Sequence, residues 1–274
     1  MPLAARNGSA MLVTMIGQLI TNRLLAAVLM IPFFPCAHSQ FSQEAPCNAL
    51  VLQAVRTMPS GGGYSAGAGA TRALRQAVSS DGGNLRIDAF RATPSYCSGA
   101  TYLVLLRVLS TLQREHRIHL SPAILSSLLP QGEPDGTGIW GRWNANGPGT
   151  ARLFQELALG PNFTDLSQAR SGDFLKIFWN DGIGASEHGH SVIYLGSEGA
   201  GDAQTVTYWS SNIPGGFGTR TVSRKRIRRM LFSRLEHPEH FDLPLARSDA
   251  FLASLEHRSV TPAETAQRCG ITRF

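Results

Sequence analysis

The chain is short of charge: only 16% of its 274 residues are Asp, Glu, Lys or Arg, and its lysines are Lys176 and Lys225 alone. With a 43% hydrophobic share, that composition excludes a disordered chain and a charged coiled coil. Cysteine is sparse, at positions 36, 47, 97 and 269, with no Cys-x-x-Cys pair. That excludes a disulfide scaffold and a thiolate zinc cluster. No internal repeat is present. What the chain does have is 28 Gly, 15 Pro and enough apolar residues for a core that needs no metal to survive. The length suits one good-sized domain with extensions, or two small ones.

Arg6 and Arg23 are the only charged side chains before Glu44, and LLAAVLMIPFFP fills the space between Arg23 and Cys36. This apolar run is shorter than the ~20 residues that span a bilayer. It matches a secretory leader, with small residues at Ala37-His38-Ser39 for cleavage. The expectation is a signal peptide over 1–39 and an exported protein, periplasmic or extracellular, with no stable membrane anchor after processing. An uncleaved anchor over 11–34 is the competing reading, interrupted by Asn22 and Arg23. Lipidation at Cys36 has poor flanks in Phe33, Phe34 and Pro35. Cleavage removes Cys36 and two of the six net positive charges. Of the remaining cysteines, Cys47 and Cys269 lie near the two ends, which often meet in a domain. They are expected to pair and brace the ends, leaving Cys97 free; the alternative keeps all three reduced.

Helical spacing predicts a short helix over 47–58, followed by a flexible Gly/Ser/Ala linker over 60–70 and another helix over 71–79. Thr93-Pro94-Ser95 reads as the start of a long helix through YCSGATYLVLLRVLSTLQREH, apolar nearly all round and so central. A short helix is expected over 122–129, a Gly-rich loop over 136–149 and a helix over 150–159; Trp140, Trp143, Trp179 and Trp209 read first as core residues, with a cleft wall as the alternative place for Trp140 and Trp143. From Gly172 the period changes to two, and DFLKIFW, HSVIYLG, TVTYWSSN and GTRTVSRKRIRRMLFSRL read as successive strands. A helical half before an antiparallel half predicts an α+β domain. The domain is expected to run over 71–243 as a monomer, with 40–70 before it and a bracing tail over 244–274.

Cys97 falls in the first turn of the central helix, where free N–H groups and the helix dipole favour thiolate. A cysteine nucleophile needs an imidazole base, and the imidazole needs an orienting partner. His190 opens one strand and Asn212 ends the next; antiparallel pairing brings Asn212 beside His190. The order is Cys, His, Asn.

These segments resemble a known group. YCSGATYLV is similar to the nucleophile-helix start of NlpC-type cell-wall peptidases, SGDFLKIFW to their next strand and GHSVIYLG to their histidine strand. TVTYWSSNIPGGFGTRTVSRKRI resembles the corresponding part of CHAP amidases. The resemblance covers roughly 84–235. It implies a papain-like (NlpC/CHAP) fold, with the nucleophile helix packed on the antiparallel sheet. It also implies hydrolysis of amide bonds in peptidoglycan stem peptides or cross-bridges without metal or cofactor. Cys97 then matches the nucleophile and His190 the base. For the third residue, Asn212 is the first choice, Ser210 stands where the CHAP pattern has Glu, and the NlpC register points to Tyr208. Tyr96 stands where the family has Asp, and His188 is a supporting candidate.

Three other readings compete. Glu187, His188 and His190 carry metal-ligand spacing, but no further ligand is placed by the sequence. Arg224 to Arg229 forms a basic run without aromatic interleaving, so it reads as a solvated strand face suited to an anionic wall polymer and not as a nucleic-acid site. A non-catalytic wall- or ligand-binding module on the same fold is the alternative to an enzyme.

Overall fold

Helices and turns fill most of the first half of the described residues, and one sheet fills most of the second. The computed structural model describes residues 46–274; the expected leader, its cleavage site and Cys36 lie outside the described residues. The first half runs α1 (Pro46–Arg56), β1 (Gly61–Gly62), α2 (Ala68–Ala77), the hairpin β2 (Val78–Asp81) and β3 (Asn84–Ile87), then α3 (Cys97–Arg114). Next come α4 (Pro122–Leu128), α5 (Gly138–Asn144) and α6 (Gly149–Glu156). The sheet half is β4 (Asn162–Phe163), β5 (Phe174–Phe178), β6 (Gly189–Glu198), β7 (Thr205–Asn212), β8 (Gly216–Ser223) and β9 (Arg229–Ser233). Two short helices, α7 (Ala250–Ser254) and α8 (Pro262–Arg268), close the chain. The architecture is α+β, as the sequence predicts.

The main sheet has the order β1-β8-β7-β6-β5-β9-β4 and is antiparallel throughout. Strand alternation splits its side chains between two faces. Phe174, Ile193, Trp209 and Phe217 join the core around α3. Leu175, Ile177, Val192, Tyr194, Val206 and Tyr208 form a second cluster on the far face. Helix α3 is buried continuously from Ser98 to Leu106, as its all-round apolar sequence requires. Asn48 of α1 and Arg234 after β9 both reach the fully buried Asp173 beside β5. Asn48 Nδ2 donates to Oδ1 at 2.9 Å, and Arg234 donates to both carboxylate oxygens at 2.9 and 2.8 Å.

Five expectations are corrected. The 60–70 segment is not a free linker: Gly61 and Gly62 pair with Phe217 and Gly216 as the edge strand, and α2 begins at Ala68. Both glycines have positive φ, the left-handed region that glycine adopts without strain, and a Cβ at Gly62 would run into the Thr93 side chain. Helix α3 begins at Cys97, not Pro94, because Tyr96 is extended and Ser95 points its hydroxyl at Ser211 (2.7 Å) instead of capping. The 136–149 segment is not loop throughout: it holds α5, whose Trp140 and Trp143 pack on Tyr102 in the core, the first of their two expected places. The basic run 224–229 does not lie within one strand: residues 224–228 turn between β8 and β9, and Arg229 opens β9. Arg228 and Arg229 both bond the exposed Asp181 there.

The fifth correction concerns Cys47 and Cys269, which form no disulfide. Each is a free buried thiol, Cys47 in the α3 core and Cys269 in a separate cluster with Phe178 and Leu231. Charged hydrogen bonds brace the tail instead. Arg152 Nε bonds Asp249 at 2.7 Å and its Nη1 bonds the Arg268 carbonyl at 3.0 Å. The fully buried Arg142 donates to the carbonyls of Gly136, Gly138 and Ala246. Among the described residues, no helix is long and apolar enough to cross a membrane.

Candidate active site

Three element ends converge on one spot. Cys97 is the first residue of α3, His190 lies one residue inside β6, and Asn212 ends β7. The β6–β7 register, Ile193 against Trp209, sets His190 opposite Asn212 when continued along the strands. His190 Nε2 lies 3.2 Å from Asn212 Oδ1. The amide orientation is not free. Asn212 Nδ2 donates to the carbonyls of Ser210 (3.1 Å) and Gly218 (2.8 Å), so Oδ1 must accept from the ring. That fixes the neutral tautomer with the proton on Nε2 and leaves Nδ1 as the basic nitrogen. Trp179 stacks on the imidazole and Tyr208 meets it edge-on, which limits its rotation.

Cys97 is partly exposed. Burial pushes its thiol up, but a hydrogen bond and charge from His190, the Ser191 N–H and the nearby Lys176 outweigh it. The net result is a pKa lowered to about 7. At neutral pH the sulfur is therefore substantially thiolate and sits beside its base. Tyr64 also reaches the sulfur from the cleft lining. Burial raises its pKa, and a hydrogen bond to Cys97 with the thiolate charge raises it further, to about 12. Its hydroxyl thus stays protonated and donates toward the sulfur. The Tyr64–Ser95 bridge and the Ser95–Ser211 bond tie this tyrosine and the start of α3 to β7, next to Asn212.

The other sequence candidates have different places. Ser210 is fully buried and donates to the Ser191 carbonyl at 2.7 Å, so it pins β7 to β6 and does not reach the imidazole. Tyr208 buttresses the imidazole through its ring. Tyr96 occupies the cap position of α3, packs on Trp140 and lines the cleft; burial lifts its hydroxyl to about 12. His188 is exposed at the cleft rim. Glu187, His188 and His190 do not gather as a metal site. Glu187 is engaged by Lys176 Nζ at 2.7 Å and by the Gly184 N–H at 3.0 Å. Among the described residues, the one grouping with metal-ligand proximity is His237, Glu239 and His240, exposed or partly so and outside the cleft.

The nucleophile opens into a cleft of about 520 Å³ lined by Tyr64, Tyr96, Asn144, Lys176 and Gly189. A second recess of about 330 Å³ flanks His190 on its other side and shares Tyr64 and Gly189 with the first. Sequence reasoning missed Tyr64, Ser95, Ser211 and the Lys176–Glu187 pair. The signal for Tyr64 was its position as the only aromatic residue in SGGGYSAGAGA. Comparison with known proteins adds nothing: no family model, no curated protein and no solved structure matches the chain.

Proposed function

We propose that the chain is an exported cysteine hydrolase of the papain-like NlpC/CHAP type, cleaving amide bonds in peptidoglycan stem peptides or cross-bridges. The observation that carries this reading is the Cys97–His190–Asn212 arrangement, with a thiol lowered to about 7 at the floor of an open cleft. A structural cysteine has no use for a base whose tautomer is held in place. The resembling segments add support, because they fall on the start of α3, on β5 and on β6, the elements that build this site.

The chemistry follows from the placement. The Cys97 thiolate attacks the amide carbon, and the carbonyl π electrons move to oxygen. The Cys97 N–H, free at the helix start, and the Tyr64 hydroxyl are the donors nearest that oxyanion. His190, carrying the proton taken from the thiol, gives it to the leaving nitrogen as the C–N bond breaks. A water then attacks the thioester, His190 takes its proton, and the carboxylic acid leaves with Cys97 restored. None of these steps calls on a metal or cofactor.

The test is digestion of purified muropeptides by the wild-type protein and by Cys97→Ala, read by mass spectrometry. New amine and carboxyl ends with wild type and none with Cys97→Ala support the proposal. Equal products from both, or no products from either, refute it and favour the binding-module alternative.

A further inference from the structure

Helix α3 is apolar nearly all round, but its second half carries one polar stripe. Arg107, Ser110, Thr111 and Arg114 follow i, i+3, i+4, i+7 spacing, so they share a face, and that face escapes full burial. It meets Gln53, Ala54 and Thr57 of α1 across a cavity of about 260 Å³. Arg107 and Arg114 are the charged residues of the lining, and both are positive. Arg107 lies about 15 Å of helix rise beyond Cys97. The cavity shares no lining residue with the catalytic cleft or its flanking recess.

Arg107 is held in place but not compensated. Its Nη1 donates to the Thr57 carbonyl at 2.9 Å and to the Thr57 hydroxyl. Its Nε is buried without a hydrogen-bond partner, the one such side-chain atom among the described residues, and Nη2 has no partner among them either. Burial pushes the guanidinium below its ordinary value, and the charge of Asp88 restores only part of that. Asp88 is itself engaged by Arg91 Nε at 3.1 Å and by the Phe90 N–H at 3.2 Å. Arg114 donates to the Thr111 hydroxyl at 3.1 Å. Among the described residues neither Arg107 nor Arg114 forms a salt bridge. The hydroxyl protons of Thr57 and Ser110 go to the Ala54 and Leu85 carbonyls, at 2.8 and 3.1 Å. The remaining N–H groups of the two guanidiniums are therefore the main donors at the cavity. A half-buried cation with no counter-charge, next to a second cation, is the environment that an anion relieves.

We propose that this cavity between α1 and α3 binds a phosphoryl group, held between Nη2 of Arg107 and the guanidinium of Arg114. Two cations with no acidic residue in the lining suit a dianion, and a phosphoryl group carries a charge of roughly −1.5 to −2 at neutral pH. Its several acceptor oxygens can take N–H groups from two guanidiniums at once, and such charge-assisted bonds are the strong ones. A single carboxylate supplies half the charge. The inference uses no residue of the catalytic site and stands independently of the hydrolase reading.

The experiment follows inorganic phosphate by phosphorus NMR as full-length protein is added at constant ionic strength. Saturable line broadening is expected. Arg107→Gln and Arg114→Gln should each weaken binding by about tenfold. Arg75→Gln, at an exposed arginine outside the lining, should leave it unchanged. Arg114 is exposed, so its variant carries the test if Arg107→Gln does not fold. A parallel titration with glycerol 3-phosphate separates two sources of the same chemistry. Tighter binding than phosphate assigns the site to an esterified phosphoryl group, and equal binding assigns it to the free ion; both support the site. Acetate at the same concentration should displace neither. No saturation with wild type, binding undiminished in Arg114→Gln, equal weakening in Arg75→Gln, or displacement by acetate would each overturn the proposal.

Discussion

At the scale of single residues, the account turns on one thiol among the three in the described residues. Cys97 is held at about 7, whereas burial lifts Cys47 above its ordinary value and Cys269 to about 12. Since the thiolate is the reactive form, alkylation by iodoacetamide should rise with pH to a plateau with its midpoint near 7. Peptide mapping at pH 7.5 should find the label on Cys97 and not on Cys47 or Cys269. In His190→Ala the lowering contributions are reduced while burial remains, so the midpoint should move up, toward or past the ordinary value of 9.0. A midpoint unchanged by that substitution would remove His190 from the site. These chemical residues were legible because each sits at an element boundary that the sequence marks: a helix start, a strand start, a strand end. Tyr64 and the Ser95–Ser211 pair were not legible. Their roles come from partners 31 and 116 positions away, which no local pattern records.

Among elements, the edge strand β1 matters most to the site, because it leads directly into Tyr64. Gly216 faces it at a positive φ of 84°, and a Cβ there would lie 2.3 Å from the Gly61 carbonyl oxygen. Gly216→Ala is therefore expected to cost roughly 1–3 kcal/mol and to push β1 off β8. The folded fraction should show a raised Cys97 alkylation midpoint or slowed turnover, since Tyr64 and Asn212 flank that contact. Denaturant titration with alkylation kinetics checks both; wild-type values in both would contradict the assigned role of β1. The strands β5, β6 and β7 were readable from alternation and α3 from its apolar run, whereas β8 and β9 were read as one strand because the basic turn between them alternates too. The Gly-rich segment was misread because glycine favours both mobile chain and close strand contact, and only the partner decides between them. Helix α5 was hidden for a similar reason. Its sequence is full of Gly and Asn, and its ends are held by the buried Arg142, whose bonds to Gly136, Gly138 and Ala246 are tertiary.

For the whole molecule, polar crosslinks do what a disulfide was expected to do. Residues 46–274 lie in one compact unit, and the Asp173 cluster joins its first helix to two strands of the sheet. Asp173→Ala strands the Arg234 guanidinium, only 9% exposed, without its partner. The expected loss is ~3–5 kcal/mol in urea unfolding, because an unpaired buried charge is costly. A loss below about 1 kcal/mol would place the pair in the class of exposed, weak ion pairs. The overall α+β order was legible from the switch in period near Gly172. The bracing of the tail was not, since two cysteines near the chain ends are an obvious pattern while Arg152 and Asp249 look like ordinary surface charge.

The central claim is that Cys97 becomes acylated by an amide substrate. The direct measurement mixes the full-length protein with muropeptides, quenches in acid during turnover and weighs the peptide that contains Cys97. The expected result is a mass increase equal to the acyl half of the cleaved substrate, disappearing as substrate is exhausted and absent in Cys97→Ala. Product release with no adduct on Cys97, undiminished in Cys97→Ala, would contradict the account.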